Sequence, residues 1–150
     1  MKKLTHINAK GEAKMVDVSA KPVQQRSATA RGEIRMAKET LRLIRRDKIA
    51  KGNVLATARI AGIQAAKRTG DLIPMCHPLP INHCEVEFEF PKTSNAIVVT
   101  ATAKVAAQTG VEMEALTAVS LAALTIYDMC KAVDKKMRIT NVKLVSKTKQ

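Results

Sequence analysis

Three short segments set titratable side chains inside apolar runs. They are Asp71-Leu72-Ile73-Pro74-Met75-Cys76-His77-Pro78, Gly110-Val111-Glu112-Met113-Glu114 and Tyr127-Asp128-Met129-Cys130-Lys131. Taking a charge out of water is costly unless the group is paired or has a task. Three such intrusions in one small chain point to a site, and the site points to an enzyme. The chemistry these residue types support is staged proton transfer by carboxylate, imidazole and ammonium groups.

Spacing narrows the roles. Asp128 and Lys131 are three apart and share a helix face, although a plain surface ion pair has the same pattern. Glu114 precedes Asp128 by 14 residues, close to four helical turns, so it shares that face but sits ~21 Å away along the axis. One small ligand cannot touch both ends of one helix. Either the ends serve different sites, or a second subunit brings one end beside the other. A mixture of Lys51→Ala and Lys131→Ala subunits, regaining both lysines at some sites, is one expected signature of such sharing. Glu112 has a structural alternative as the N3 partner of Thr109 in a capping box, T-x-x-E. An acid at Glu114, in the first turn, also gains from the helix dipole.

His77 lies in a loop stiffened by Pro74, Pro78 and Pro80, which aims it. Cys76, His77, His83 and Cys84 form two adjacent pairs, a poor match to metal-ligand spacing, so no metal site is expected. Lys51-Gly52-Asn53 precedes a helix start and suits an anion. Lys67 and Arg68 close that helix, where charge–dipole complementarity explains them equally well. There is no G-x-x-x-x-G-K-[ST], G-x-S-x-G or G-x-G-x-x-G.

The elements that must position these groups follow from periodicity. The 150 residues suit one domain, 1–150, with an extended arm over 1–25 and a flexible, solvating tail over 146–150. Residues 27–36 read as a strand, 37–47 as a short amphipathic helix, and 53–69 as a helix capped by Asn53 and stopped at Gly70. Its small residues allow close packing. Cys84, Val86, Phe88 and Phe90 alternate with Glu85, Glu87 and Glu89, the clearest strand, 82–90. Residues 96–106 are its partner, 111–133 a long helix, and 137–145 a last strand. With one helix set aside this is the β-α-β-β-α-β order of a ferredoxin-like antiparallel sheet with helices on one face. Val98, Val99, Ala101, Ala103 and Val105 suggest apolar residues on both sheet faces, which oligomerisation would cover.

A formal net charge of +13 favours an anionic partner, either nucleic acid or a small polyphosphate. RNA binding on a ferredoxin-like sheet needs stacking aromatics, and the chain has three aromatic residues, Phe88, Phe90 and Tyr127. A purely structural oligomer leaves the polar segments unexplained. Three cysteines without a C-x-x-C pair suit free thiols in a reducing cytosol. No apolar run follows the N-terminal lysines as a signal peptide requires, and no window approaches 18 uninterrupted apolar residues, so a cytoplasmic protein is expected.

The three segments, with Lys51 through Thr69 (KGNVLATARIAGIQAAKRT), closely resemble the cyclic pyranopterin monophosphate synthase family, the C protein of molybdenum cofactor biosynthesis. Likeness extends from Leu4-Thr5-His6-Ile7 and Met15-Val16-Asp17-Val18-Ser19 to Ala132-Val133-Asp134-Lys135, and Thr109 through Thr117 (TGVEMEALT) is its most specific stretch. The resemblance implies a lyase that converts 3′,8-cyclo-7,8-dihydro-GTP, made by a partner radical enzyme, to cyclic pyranopterin monophosphate and diphosphate. It implies six ferredoxin-like subunits arranged as three dimers, with sites at a dimer interface. Asp128 would be the catalytic acid/base, assisted by Lys51 and Lys131. Met75, Cys76, His77, Met113 and Glu114 would bind substrate, with Glu112 and His77 as secondary catalytic candidates and Lys67, Arg26 and Asp17 as further pocket residues. No protein-bound cofactor is implied; Mg²⁺ is allowed only as a companion of the substrate phosphates. Met75, Gly70 and Ala107 depart from the usual residues, and none of these changes removes a titratable group.

Overall fold

The alternation at residues 82–90 becomes a strand, β2 (His83–Glu89), in the computed structural model, which describes residues 4–150. It joins β1 (Gln24–Arg35), β3 (Ala96–Ala107) and β4 (Arg138–Lys149) in one antiparallel sheet of order β2-β3-β1-β4. The helices are α1 (Lys38–Arg45), α2 (Val54–Lys67), the single turn α3 (Thr69–Leu72) and α4 (Glu112–Cys130). The fold is thus α+β. Of the expected elements, only α3 was not foreseen.

The core lies between the sheet and the pair α2–α4, and it is built from small and branched aliphatic residues. Ala28, Ala30 and Ile34 of β1 and Ile97, Val99, Ala101, Ala103 and Val105 of β3 face Ala115, Val119, Ala122 and Ile126 of α4. The expected close packing of α2 is realised through Ala58, Gly62, Ala65 and Ala66, all buried. Small side chains let the α2 and α4 backbones approach closely, so two helices and a sheet fit with few aromatics. α4 is long and apolar enough to cross a membrane by composition, but its apolar side packs on α2 and the sheet as a core helix.

Five details differ from the sequence-based expectation. Both outer ends of the sheet run longer: β1 begins at Gln24, inside the expected arm, and β4 continues to Lys149 through the expected flexible tail. Arg26 pairs with Lys149 and Ala28 with Lys147, and Gln25 and Gln150 exchange backbone hydrogen bonds at 3.0 and 2.9 Å. Lysines do not oppose strand pairing at a sheet edge, where their side chains stay in water. Second, the sheet face away from the helices is not apolar. Ile97, Val99, Ala101, Ala103 and Val105 share one face because strand side chains repeat every two residues. The other face carries Thr100, Thr102 and Lys104 beside Thr29, Arg31 and Glu33, with a Thr29–Thr102 hydroxyl bond of 2.9 Å. Val98 lies there buried between its strand neighbours Glu33 and Glu89. The sheet therefore supplies no apolar face in need of a cover.

Third, Gly70 does not stop α2. The helix ends at Lys67, and Gly70 lies within α3, where a Cβ would stand 2.9 Å from the Pro78 Cα. The glycine serves close approach of the proline loop. Fourth, no capping box starts α4. Val111 is its N-cap, without a side-chain hydrogen bond, and Glu112 turns elsewhere. Fifth, α4 ends at Cys130, short of the expected 133, and the chain turns through Lys131–Val133 into a capping carboxylate. That is Asp134, which is buried. It accepts from Ala37 N at 2.7 Å and Thr40 Oγ1 at 3.1 Å, closing the open end of α1, and from Lys136 N at 3.0 Å. The Ala37 amide bond is the leading cause that holds its carboxyl below the ordinary aspartate value.

Asp134→Ala should therefore cost about 1–3 kcal/mol, because it strands buried donors. A carboxylate whose folded pKa is depressed stabilises above its unfolded value and loses that contribution as pH falls through the folded one. The wild-type advantage over Asp134→Ala, read by thermal melts, should hold from neutral pH to about 4 and shrink as pH falls further below the ordinary aspartate value. An equal advantage at pH 3 would refute this account of the carboxylate.

Candidate active site

At the C-terminal end of α4, the expected catalytic group assembles within one chain. Lys51, in the turn before α2, reaches across to Asp128: its Nζ donates to Asp128 Oδ2 at 3.1 Å and to the Asp128 carbonyl at 3.0 Å. Lys131 Nζ donates to the other carboxylate oxygen at 2.7 Å. The local structure explains the reach. Asn53 Oδ1 accepts from Ala56 N at 2.9 Å and caps α2, as expected, while Gly52, with φ 105°, turns the chain where only glycine sits without strain. α2 packs on α4, which delivers the turn to Asp128. The two ammonium groups, Lys131 first and Lys51 second, hold the Asp128 carboxyl below the usual aspartate range. All three side chains are about half exposed. Because both lysines serve one carboxylate of one chain, the expected rescue between Lys51→Ala and Lys131→Ala subunits is ruled out: no pairing restores both.

The second cluster lies at the opposite end of α4. A cleft of about 400 Å³ is lined by Met75, Cys76, His77, Glu112, Met113 and Glu114, together with the arm residues His6, Val16 and Lys21. Here the proline loop, the start of α4 and the arm meet. His77 Nε2 lies 2.7 Å from the Val16 carbonyl. A carbonyl only accepts, so Nε2 carries hydrogen and donates to it. Glu112 and Glu114 are pushed apart. Burial alone would raise Glu112, but Lys147 Nζ donates to it at 2.9 Å and holds it below the ordinary value. Glu114, buried, is raised by desolvation and further by the Glu112 charge. Two neighbouring carboxylates shifted in opposite directions suit one proton acceptor and one proton donor. The Cys76 thiol is raised by burial and by Glu114, which disfavours the thiolate form that a nucleophile needs.

A carboxylate whose charged form is disfavoured by burial is a cost to the fold near neutral pH. Its folded pKa is raised, so stability is fully present below the unfolded value and lost as pH rises through the folded one. Glu114→Gln should therefore melt higher than wild type at pH 7 while losing roughly 100-fold in kcat/KM. A lower melting temperature at pH 7 would contradict the desolvation account.

The remaining candidates fall around this second cluster. Arg26 lines an adjoining cleft of about 280 Å³ with Gly110, Glu112 and Lys147, its Nε donating to Ala107 O at 3.0 Å and its Nη2 to Gln108 O at 3.2 Å. Asp17 is exposed and accepts from the Ser19 amide and hydroxyl at 2.9 and 2.6 Å; it is not among the residues lining the cleft. Lys67 borders a separate hollow with Asp71, Pro78 and Pro80. Among the described residues, no group of His, Cys, Asp or Glu side chains is arranged to hold a metal ion. Sequence reasoning missed Lys147, read as a solvating tail, along with Lys21 and His6. Only the extension of β4 beside β1 carries Lys147 to Glu112. Gly110 bears on the same pair, since a Cβ there would collide with the Glu112 carboxylate.

Phe88 and Phe90 are half-buried, and Arg59 and Arg45 lie over their rings at 5.4 and 4.7 Å from the centroids. They are thereby taken from the stacking role that RNA binding requires. Comparison with known proteins agrees with an enzyme. The MoaC family is matched over residues 15–150. A protein of Parvibaculum lavamentivorans named cyclic pyranopterin monophosphate synthase is 59% identical over 147 residues, covering 98% of this chain and 92% of its own. Proteins of the same name from Chloroflexus aurantiacus and Clostridium perfringens are 58% and 57% identical, covering 96% and 97% of this chain and 88% and 92% of theirs.

Proposed function

The chain belongs to the MoaC family, and from that premise we propose that it is a cyclic pyranopterin monophosphate synthase. It is a lyase that converts 3′,8-cyclo-7,8-dihydroguanosine 5′-triphosphate to cyclic pyranopterin monophosphate, releasing diphosphate, in molybdenum cofactor biosynthesis. The observation that carries the mechanism is Asp128 held between Lys51 and Lys131 at 3.1 and 2.7 Å. Opening and reclosing the purine-derived ring needs protons moved in stages. Asp128, ionised at neutral pH by its lysines, takes a proton first, and a lysine returns one. A hydroxyl of the rebuilt ring then attacks the α-phosphorus, its proton passes to a base, and the bond to diphosphate breaks. Lys51 and Lys131 neutralise charge as it moves to that leaving group. Met75, Cys76, His77, Met113 and Glu114 hold the substrate, with Glu112, Arg26, Lys67 and Asp17 around them.

The ~21 Å between the ends of α4 supports a site completed by a second subunit. The strand order β2-β3-β1-β4 supports a ferredoxin-like subunit, and the working assembly is a homohexamer of three dimers with shared sites. The enzyme is cytoplasmic and takes substrate from the upstream radical enzyme. It holds no metal of its own; Mg²⁺ travels with the substrate phosphates. Incubation with the cyclic nucleotide triphosphate tests the reading. One equivalent of diphosphate should appear per pterin formed, and pterin without diphosphate would refute it.

A further inference from the structure

The outer face of α1 is a stripe of cations. Lys38, Arg42 and Arg45 stand at i, i+4 and i+7, and all three are exposed. Like charges at these spacings repel, and a cation in the first turn opposes the helix dipole. Lys92, on the turn between β2 and β3, comes to the same place. With the three α1 residues it lines a hollow of about 390 Å³ between α1 and that turn, and no carboxylate lines it. Glu39 attends Arg42, its Oε2 accepting from Nε at 2.9 Å. Among the described residues, Lys38, Arg45 and Lys92 enter no ion pair. Gathering four cations around one hollow costs the fold through repulsion, which a bound anion offsets.

We propose that this hollow is a second anion site, whose ligand is inorganic diphosphate or the diphosphate end of a longer phosphate chain. It lies apart from the clefts at the start of α4 and shares no residue with them or with the Lys51, Asp128 and Lys131 cluster. Guanidinium groups present a planar fork of donors that matches phosphoryl oxygens. Arg45 is restrained at the rim, its guanidinium 4.7 Å from the centroid of the Phe90 ring. Ser94 and Asn95 line the hollow beside Lys92. They add a hydroxyl and an amide, neutral donors that a group with several oxygens can use.

Charge and shape select this class. Two phosphoryl groups carry about three negative charges near neutral pH, which balances Lys38, Arg45 and Lys92. A single carboxylate balances one of them. A nucleobase finds no ring to stack on, because Arg45 covers Phe90. Recognition is therefore through phosphate alone, and a nucleotide should bind no tighter than diphosphate. Diphosphate is also released by the proposed reaction, so the hollow responds to its accumulation; only that source of the ligand rests on the proposed function.

Calorimetric titration with magnesium-free inorganic diphosphate at about 0.15 M salt tests the site without any turnover. The double variant Arg45→Gln, Lys92→Gln should stay folded by circular dichroism and keep wild-type kcat/KM for the cyclic nucleotide. It should bind one diphosphate fewer per chain than wild type, or bind it at least about 10-fold more weakly at the hollow. The same difference should persist when Lys51→Ala and Lys131→Ala are present in both proteins, since the hollow holds neither lysine. Diphosphate binding unchanged by Arg45→Gln with Lys92→Gln, or a difference that disappears once Lys51 and Lys131 are replaced, would overturn the site. GTP bound at the hollow at least about 10-fold tighter than diphosphate would overturn recognition through phosphate alone. Displacement of diphosphate by an equal concentration of a triglutamate peptide would overturn the choice of phosphate over an acidic peptide.

Discussion

Asp128→Asn should leave the fold intact and reduce turnover by a factor of about 10²–10⁴. The amide matches the carboxylate in shape and keeps one oxygen to accept from a lysine, but its NH2 end faces the other ammonium as a second donor, and it cannot take a proton. Stability should change little, because the carboxylate is about half exposed and exposed ion pairs contribute little. The pH dependence follows from the direction of the shift. Two ammonium groups depress the Asp128 pKa, so the base form persists until pH falls below the ordinary aspartate range. This group should add no inflection to kcat/KM between pH 5 and 8. A folded Asp128→Asn protein turning over at a near-normal rate would remove Asp128 from the proton-transfer role.

Mixing two inactive proteins should restore activity when they are chosen from opposite ends of α4. In a dimer of one Asp128→Asn and one Glu114→Gln subunit, one shared site carries both substitutions and the other carries neither. Random pairing at equal amounts should bring activity to about one quarter of wild type, by the statistics of an isologous two-fold. The control is Lys51→Ala mixed with Lys131→Ala. Both lysines attend one carboxylate of one chain, so every site lacks one of them and no activity should return. Recovery in the control, or none in the first mixture after demonstrated subunit exchange, would show that the site is not divided along α4.

By itself the sequence determined the order of elements, the alternation of β2, the Asn53 cap and the identity of the chemical groups. These are legible because they depend on local period and spacing: alternation for Cys84 to Phe90, three-residue spacing for Asp128 and Lys131, and the long apolar run of α4. The family likeness was legible on the same residues. What needed the tertiary structure was every pairing across the chain. Nothing local announces that Lys51 reaches Asp128, since 77 residues separate them. Nothing local shows that Lys147 turns Glu112 away from a helix cap that its T-x-x-E spacing predicted. The tail looked solvated because lysine prefers water, yet β1 offers it a free edge whose backbone groups need partners, and that need outweighs composition. The same holds for Gly70, a helix stop by residue type but a point of contact by position. Residue type sets what each group can do. Which groups meet is decided by burial and backbone hydrogen bonding summed over the whole fold, and the site arises from those meetings.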